Sequence, residues 1–139
     1  MIFLSIDPHA KFYAIARYQY GNWSVMVCDR LGAKHIIGRQ WYDAIVIEDQ
    51  YLGVNFRTAR ELAKAAGLVE GLAMAHNYQV FYVNPAKWQS YWGLLAIKDK
   101  KAKQVSMVVL AAEICIMVKT VDEASAILMG RYWMLQHGY

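Results

Sequence analysis

The sequence predicts an α/β fold: a mixed five-stranded sheet, three antiparallel strands followed by parallel strands, flanked by helices. The apolar run at residues 2–6 indicates a strand buried on both faces. Gly21-Asn22, between two runs of β-branched and aromatic residues, is a two-residue hairpin signal. Two later apolar runs separated by a helical pattern favour parallel strands joined by a helix. The strands are predicted at residues 1–8, 11–20, 23–29, 44–48 and 79–83.

Helices are predicted mainly from their end signals. Thr58 to Glu61 matches the capping-box pattern, and so does Thr120 to Glu123. Asn84-Pro85 is an N-cap followed by proline at the first helical position. The apolar residues 105–118 predict a buried helix, whereas residues 31–42, which contain two glycines, are predicted to be a connection. The helices are predicted at residues 58–76, 85–91, 105–118 and 121 to about 136.

Composition places the chain among globular proteins of one domain, residues 1–139. Hydrophobic residues make up 58% of the sequence, which excludes disorder, and the longest apolar run is too short to span a bilayer. No basic segment precedes the first apolar run, so we expect no signal peptide. The isolated cysteines Cys28 and Cys115 fit a reducing cytoplasm. The net charge of +4 permits a nucleic-acid partner without requiring one.

Acidic residues end two of the predicted strands. Asp7 follows the first apolar run and Glu48 follows the fourth strand, and the carboxyl ends of neighbouring parallel strands are where α/β proteins form sites. Close carboxylates repel each other unless a cation neutralises them, and oxygen ligands suit Mg²⁺ or Mn²⁺. The alternative is that each acid caps a helix or pairs with an arginine. Two acids at matching strand ends favour the metal site.

The last helix offers a third metal ligand. Glu123 is expected to fold back onto the amide of Thr120, which is its role in a capping box. Asp122 has no such local role and points about 100° away around the helix. Asp122 is therefore the preferred ligand, with Glu123 in reserve.

Basic residues in two segments could contact a phosphate backbone, although a charge run is more often a solvated face. One group precedes the long apolar helix and the other follows Glu48 at helical spacing. Tyr51, shortly after Glu48, could stack on a base if it is exposed. The four histidines show no metal spacing, and His9 is interpreted as a loop residue without a role. The candidate basic residues are Arg57, Arg60, Lys98, Lys100, Lys101 and Lys103.

Three short motifs, in this order, resemble the RuvC-type Holliday junction resolvases in a short bacteriophage-like version. They are Ser5-Ile6-Asp7-Pro8, Ile45-Val46-Ile47-Glu48 and Asp122-Glu123-Ala124-Ser125-Ala126. The resemblance covers essentially the whole chain and implies an RNase H-like fold. It also implies a homodimer that makes symmetric, Mg²⁺- or Mn²⁺-dependent cuts in a four-way DNA junction.

By this resemblance, Asp7 corresponds to the family's first acid and Glu48 to its second. Tyr51 corresponds to the aromatic residue that probes the centre of the junction. Two departures stand out: His9 replaces a glycine, and Ser125 replaces a second aspartate of the last motif. The alternatives are another RNase H-like nuclease, acting on an RNA–DNA hybrid or flapped DNA, and a non-catalytic DNA-binding relative with vestigial acids.

Overall fold

The computed structural model describes residues 1–49 and 56–139. Within them the five strands follow one another in the predicted order, and a helix that was not predicted, α1, lies between the third and fourth strands. The strands are β1 (Ile2–Pro8), β2 (Tyr13–Gln19), β3 (Asn22–Cys28), β4 (Ala44–Glu48) and β5 (Gln79–Val83). The helices are α1 (Arg30–Gly38), α2 (Phe56–Ala75), α3 (Pro85–Tyr91), α4 (Lys100–Ile114) and α5 (Val121–Gln136), with a short 3₁₀ turn at Leu94–Ala96.

The described strands form one mixed sheet of order β3-β2-β1-β4-β5. β1 lies at its centre, antiparallel to β2 and parallel to β4, with Ile6 level with Ile47. β5 is parallel to β4, and β3 is antiparallel to β2. The predicted mixed sheet is confirmed. Because β1 and β4 are parallel neighbours, Asp7 and Glu48 reach the same edge of the sheet.

Alternate residues of β1 face two separate hydrophobic layers. Leu4 and Ile6 pack with α1 and α2 on one face, while Phe3 packs with α5 on the other. All three side chains are fully buried. This alternation places Asp7 on the α5 face, as expected for side chains that point to opposite faces along a strand.

Helix α1 corrects the prediction of a connection at residues 31–42. Asp29 caps it, since its Oδ1 accepts a hydrogen bond from the Gly32 N–H at 2.8 Å, and Ala33 and Ile37 are fully buried. Gly32 indicated a loop but serves close packing, because a Cβ there would lie 2.7 Å from the Cβ of Cys28. The glycine was therefore misinterpreted as a helix breaker.

Two other helices begin earlier than predicted. α2 begins at Phe56, so Thr58 lies inside the helix and the predicted capping box at that position is wrong. α4 begins at Lys100 with Asp99 as its N-cap, so three of the candidate lysines belong to the helix instead of preceding it. α4 also buries only one side, whereas a fully buried helix was predicted; Val105 and Val109 are exposed.

Among the described residues, no helix is both long and apolar enough to cross a membrane.

Helix α5 crosses the sheet at close range because two small residues meet there. A Cβ on Gly130 would lie 2.7 Å from the Cβ of Ser5 and 3.0 Å from the Trp23 ring. Both Gly130 and Ser5 are buried. We expect Gly130→Ala to lower the free energy of unfolding by about 1–3 kcal/mol, because this closely packed contact must open. Urea denaturation measures the change.

The matched control is Gly67→Ala on α2. Gly67 is an exposed position inside a helix, and a Cβ there would meet no described atom within 4 Å. Alanine is expected to stabilise the protein at this position by about 0.5–1 kcal/mol, since it forms helix more readily than glycine. Equal effects of the two substitutions would contradict the close-packing explanation.

Candidate metal centre and nucleic-acid interface

Asp7 and Glu48 end two adjacent parallel strands on the α5 face of the sheet. Asp7 is the last-but-one residue of β1 and is 7% exposed, and Glu48 is the last residue of β4 and is half-buried. A buried carboxylate is costly unless a proton, a cation or hydrogen bonds compensate its charge.

His9 lies between Asp7 and Asp122. Its Nε2 is 3.2 Å from Asp7 Oδ2 and 3.3 Å from Asp122 Oδ1. Burial lowers the pKa of His9, but the hydrogen bond to Asp7 and the charges of Asp7, Asp122 and Glu48 outweigh it and raise the pKa above its ordinary value. The interpretation of His9 as a loop residue without a role is wrong, because its ring joins β1 to α5.

The ring of His9 is held by its own turn. It stacks on Phe12 with ring centroids 4.3 Å apart and planes 12° from parallel, and its backbone N–H donates to the Phe12 carbonyl at 2.9 Å. This turn connects β1 to β2. The imidazole is therefore positioned by the hairpin and not only by the two carboxylates.

Asp7, His9 and Asp122 each offer a ligand atom within 4.8 Å of the others, a spacing at which a single metal ion can be held. Glu48 is not one of this group. Its charge is nevertheless close enough to act on the pKa of His9, so it adjoins the group at the same sheet edge.

Trp88 holds the Glu48 carboxyl group. Its indole Nε1–H donates to Glu48 Oε2 at 3.0 Å, and the ring of Trp88 is buried at 1% exposure. Burial and, to a smaller extent, the charge of Asp7 raise the pKa of Glu48 to about 7, against the opposing effects of the Trp88 hydrogen bond and of His9. Near neutral pH, this carboxyl group therefore carries a proton in a substantial share of metal-free molecules.

The second predicted capping box is confirmed at the start of α5. The Glu123 N–H donates to Thr120 Oγ1 at 3.2 Å, and Glu123 Oε1 accepts from the Thr120 N–H at 3.0 Å and the Lys119 N–H at 3.1 Å. Glu123 is thus engaged as a cap, whereas Asp122 contacts His9. Ser125 is buried one turn further along α5.

The predicted DNA-binding residues that the structure describes lie in two places, at the start of α2 and at the start of α4. Tyr51 falls outside the described residues. Arg57 and Arg60 are exposed at the start of α2. The lysines lie in and just before the first turn of α4: Lys100 and Lys101 are exposed, Lys103 Nζ donates to Gln89 Oε1 at 2.7 Å, and Lys98 Nζ is 3.5 Å from the Leu95 carbonyl oxygen.

Helices α1, α2 and α3 all begin at the sheet edge that holds Asp7, because each follows the carboxyl end of a strand parallel to β1. The first turns of these helices and of α4 contain no acidic residue. Cations at a helix N-terminus oppose the helix dipole by about 0.3–1 kcal/mol each. Their placement there does not stabilise the helices, but on α1, α2 and α3 it puts positive charge at the sheet edge that holds the acids. The cations of these first turns are Arg30, Arg57, Lys87, Lys100, Lys101 and Lys103.

Sequence reasoning missed two residues of this site, His9 and Trp88, and the helix that begins at Arg30. His9 has no ligand spacing along the chain, and its partner Asp122 lies 113 positions away. Trp88 was interpreted as a core aromatic. It is buried in the core, but its indole N–H also donates a hydrogen bond to Glu48. Arg30 was placed in a connection because α1 was not predicted. A signal existed only for Arg30, since Asp29 directly precedes it as a helix cap.

The described fold is a mixed sheet of order β3-β2-β1-β4-β5 flanked by helices, with Asp7, His9 and Asp122 grouped at one edge. No protein-family model matches the sequence, and no curated protein is significantly similar to it. The chain is, however, similar in fold to solved structures.

Three such structures match over almost their full length. Thermus thermophilus RuvC in complex with a Holliday junction substrate has a TM-score of 0.75 at 12% identity, with 99% of this chain and 97% of that chain covered. A second T. thermophilus RuvC structure gives 0.70 at 13%, again with 99% and 97% covered. Fowlpox virus resolvase with Holliday junction DNA gives 0.67 at 16%, with both chains covered completely. At these identities the likeness establishes the fold, and the predicted RNase H-like fold is confirmed.

Proposed function

We propose that this chain is a structure-selective endonuclease that resolves four-way DNA junctions by metal-dependent phosphodiester hydrolysis. The observation that carries the proposal is the meeting of Asp7 and Asp122, from β1 and α5, beside Glu48 at one sheet edge. Three acids from distant parts of the chain would repel each other there without a positive partner. The proposed domain is the whole of residues 1–139.

A divalent cation fits the donors at this edge. Carboxylate oxygens are ligands of Mg²⁺ and Mn²⁺, and the ligand atoms of Asp7, His9 and Asp122 are close enough to share one ion. A bound cation would supply Lewis-acid stabilisation of the charge that develops on a phosphate under attack. Asp7, Glu48 and Asp122 are the proposed ligands, whereas Glu123 is engaged in capping α5.

The chain's own residues position the reacting groups. β1 and β4 fix the spacing of Asp7 and Glu48, and the Trp88 N–H orients the Glu48 carboxyl group. The cap of α5 keeps Glu123 turned away while its neighbour Asp122 faces His9. Such prior positioning is how an enzyme avoids reorganising its site during the reaction.

DNA is the proposed substrate for two reasons. The positive ends of α1, α2 and α3, together with the cations of their first turns, surround the acidic edge and suit a polyanion. The fold neighbours from T. thermophilus and fowlpox virus are also complexes with Holliday junctions. Because phosphate contacts carry no sequence information, binding should respond to DNA shape more than to sequence.

A homodimer is the proposed working unit, since two symmetric cuts in a two-fold junction call for two sites related by a two-fold axis. The resemblance to RuvC-type resolvases supports the same assembly. Sedimentation of the free protein and of its junction complex tests it. A DNA substrate also makes the cytoplasm the proposed place of action.

Side-by-side cleavage assays test the proposed function. Purified protein is incubated with a four-way junction, a 5′ flap, an RNA–DNA hybrid and linear duplex, in Mg²⁺ and in Mn²⁺. The expected result is paired, symmetric cuts in the junction and little cleavage of linear duplex. Preferred cleavage of the hybrid or flap would favour another RNase H-like nuclease. Junction binding without cleavage in either ion would favour a non-catalytic relative.

The lysines of α4 are expected to act through phosphate contacts. For the double variant Lys100→Ala, Lys101→Ala, the slope of log affinity against log salt should fall by about 1.8 if each lysine neutralises one phosphate. Fluorescence anisotropy of a labelled junction between 50 and 200 mM salt, the range over which such contacts respond strongly, measures it.

A double variant of equal charge on α1 is the control. Lys34 is exposed in the middle of α1 and Arg39 follows its last turn, where the helix returns to the opposite sheet edge. Lys34→Ala, Arg39→Ala should leave most of the slope unchanged. An equal reduction in both double variants would indicate that net charge, and not the α4 surface, sets the affinity.

A further inference from the structure

We propose that His9 is itself a ligand of the cation, through Nε2, and that it makes this site select Mn²⁺-like ions over Mg²⁺. The inference rests on the proposed function, because the cation is the one proposed there. It goes beyond that function by assigning an ion preference to a residue that the resemblance leaves without a role.

The spacing of the donor atoms supports direct ligation. Ligand atoms about 2.1–2.2 Å from an octahedral ion lie roughly 3 Å apart when adjacent and roughly 4.3 Å apart when opposite. The His9 Nε2 atom is 3.2 Å from one carboxylate oxygen and 3.3 Å from another, and all three ligand atoms lie within 4.8 Å. The two separations from His9 Nε2 match adjacent ligands of one ion, and the two carboxylate oxygens are close enough to share that ion.

The imidazole also has the support that a metal ligand needs. A ligating histidine binds its ion tightly when other contacts fix the orientation of its ring. Stacking on Phe12 at 4.3 Å and the tight turn closed by the His9 N–H supply that support, independently of the carboxylates. A ring held only by its ion pairs would lack a second anchor.

Ser125 explains why a nitrogen ligand is useful here. It is buried one turn after Asp122, where the resemblance implies a second carboxylate, and it offers only a neutral hydroxyl. The site therefore has one negative charge less for holding a hard cation. Mg²⁺ is held mainly by oxygen ligands, whereas Mn²⁺ and the later divalent ions of its row also accept nitrogen, so an imidazole ligand at a site with one carboxylate fewer shifts the preference towards Mn²⁺.

Pulsed electron paramagnetic resonance of Mn²⁺ bound to the DNA-free protein tests the inference. A directly bonded imidazole nitrogen modulates the electron spin echo, whereas carboxylate oxygens do not. The wild type should show this ¹⁴N modulation, and His9→Gln should lose it. His35→Gln, which alters an exposed histidine on α1, is the matched control and should retain it.

Calorimetry with MnCl₂ and MgCl₂ supplies a second readout. His9→Asp, which exchanges the imidazole for a carboxylate, should lower the ratio of Mn²⁺ to Mg²⁺ affinity by at least about tenfold. The same ratio should be unchanged in His35→Gln. The His9→Asp variant also covers the case in which His9→Gln fails to fold, which circular dichroism detects.

The outcomes separate this inference from the proposed function. Mn²⁺ binding by the wild type without nitrogen modulation, or modulation that survives in His9→Gln, overturns the role of His9 alone. An unchanged affinity ratio in His9→Asp does the same. A wild-type protein that binds neither ion overturns the proposed metal-dependent nuclease as well.

Discussion

Replacing Asp7 with asparagine is expected to reduce junction cleavage by more than about 10³-fold, because the variant loses the carboxylate proposed as the central cation ligand. Asp7 is 7% exposed and contacts His9 directly, so it has little capacity to touch DNA itself. Junction affinity should therefore stay close to that of the wild type. Single-turnover cleavage of a labelled junction and anisotropy in Ca²⁺ measure the two quantities separately.

Asp43→Asn is the matched control for this result. Asp43 lies at the opposite end of β4, is exposed, and accepts a hydrogen bond from the Ile2 N–H at 2.7 Å. An asparagine can still accept that bond, so cleavage should match the wild type. Undiminished cleavage by Asp7→Asn in Mg²⁺ or Mn²⁺ would refute the proposed site.

The strands could be predicted from the sequence because their signals are local. A largely apolar run in β1 and a two-residue turn at Gly21-Asn22 predicted their positions to within a few residues. Strand pairing did not follow from these signals. That β1 and β4 are neighbours depended on the repeated pattern of an apolar run ending in an acid.

Helix α1 escaped prediction because tertiary packing overrode a local signal. A glycine inside a helix normally lowers helix stability by about 1 kcal/mol relative to alanine. Gly32 nevertheless lies in α1, because it lets this helix approach Cys28 closely. No pattern in the sequence predicts this close packing of α1 on Cys28. The exposed side of α4 was missed for the converse reason: Val105 and Val109 are apolar but do not face the core.

The candidate site was predictable only where its residues are acidic and end an element. Asp7, Glu48 and Asp122 stand at strand or helix ends, and the capping box at Thr120 separated Asp122 from Glu123. His9 depends on a contact between residues 113 positions apart, and no spacing rule reaches that distance. The role of the three acids as metal ligands is a proposal, whereas the fold itself brings them to one edge of the sheet.

Glu48→Gln is expected to stabilise the metal-free protein at pH 8 while it weakens metal binding. The pKa of Glu48 is about 7 in the folded protein against an ordinary value of 4.5. Its contribution to stability is therefore complete below pH 4.5 and is lost as the pH rises through 7, when the buried carboxyl group ionises. This loss is on the order of 3 kcal/mol. A glutamine remains neutral and can still accept the Trp88 hydrogen bond.

Urea denaturation in EDTA at pH 5 and pH 8 measures this effect. At pH 8 the free energy of unfolding of Glu48→Gln should exceed that of the wild type by roughly 1–3 kcal/mol, and at pH 5 the excess should fall below about 1 kcal/mol. Glu113→Gln, at an exposed position on α4, is the control and should show no such gain.

Saturating Mn²⁺ should reverse the order at pH 8, because a ligand that binds only the folded state stabilises the protein according to its affinity. The wild type, with Glu48 ionised beside the cation, should gain more stability than Glu48→Gln. If Glu48→Gln is less stable than the wild type in EDTA at pH 8, the contacts of the Glu48 side chain stabilise the metal-free fold. A reversed order of stability in Mn²⁺ would show instead that the ionised Glu48 destabilises the metal-free protein and stabilises the metal-bound protein.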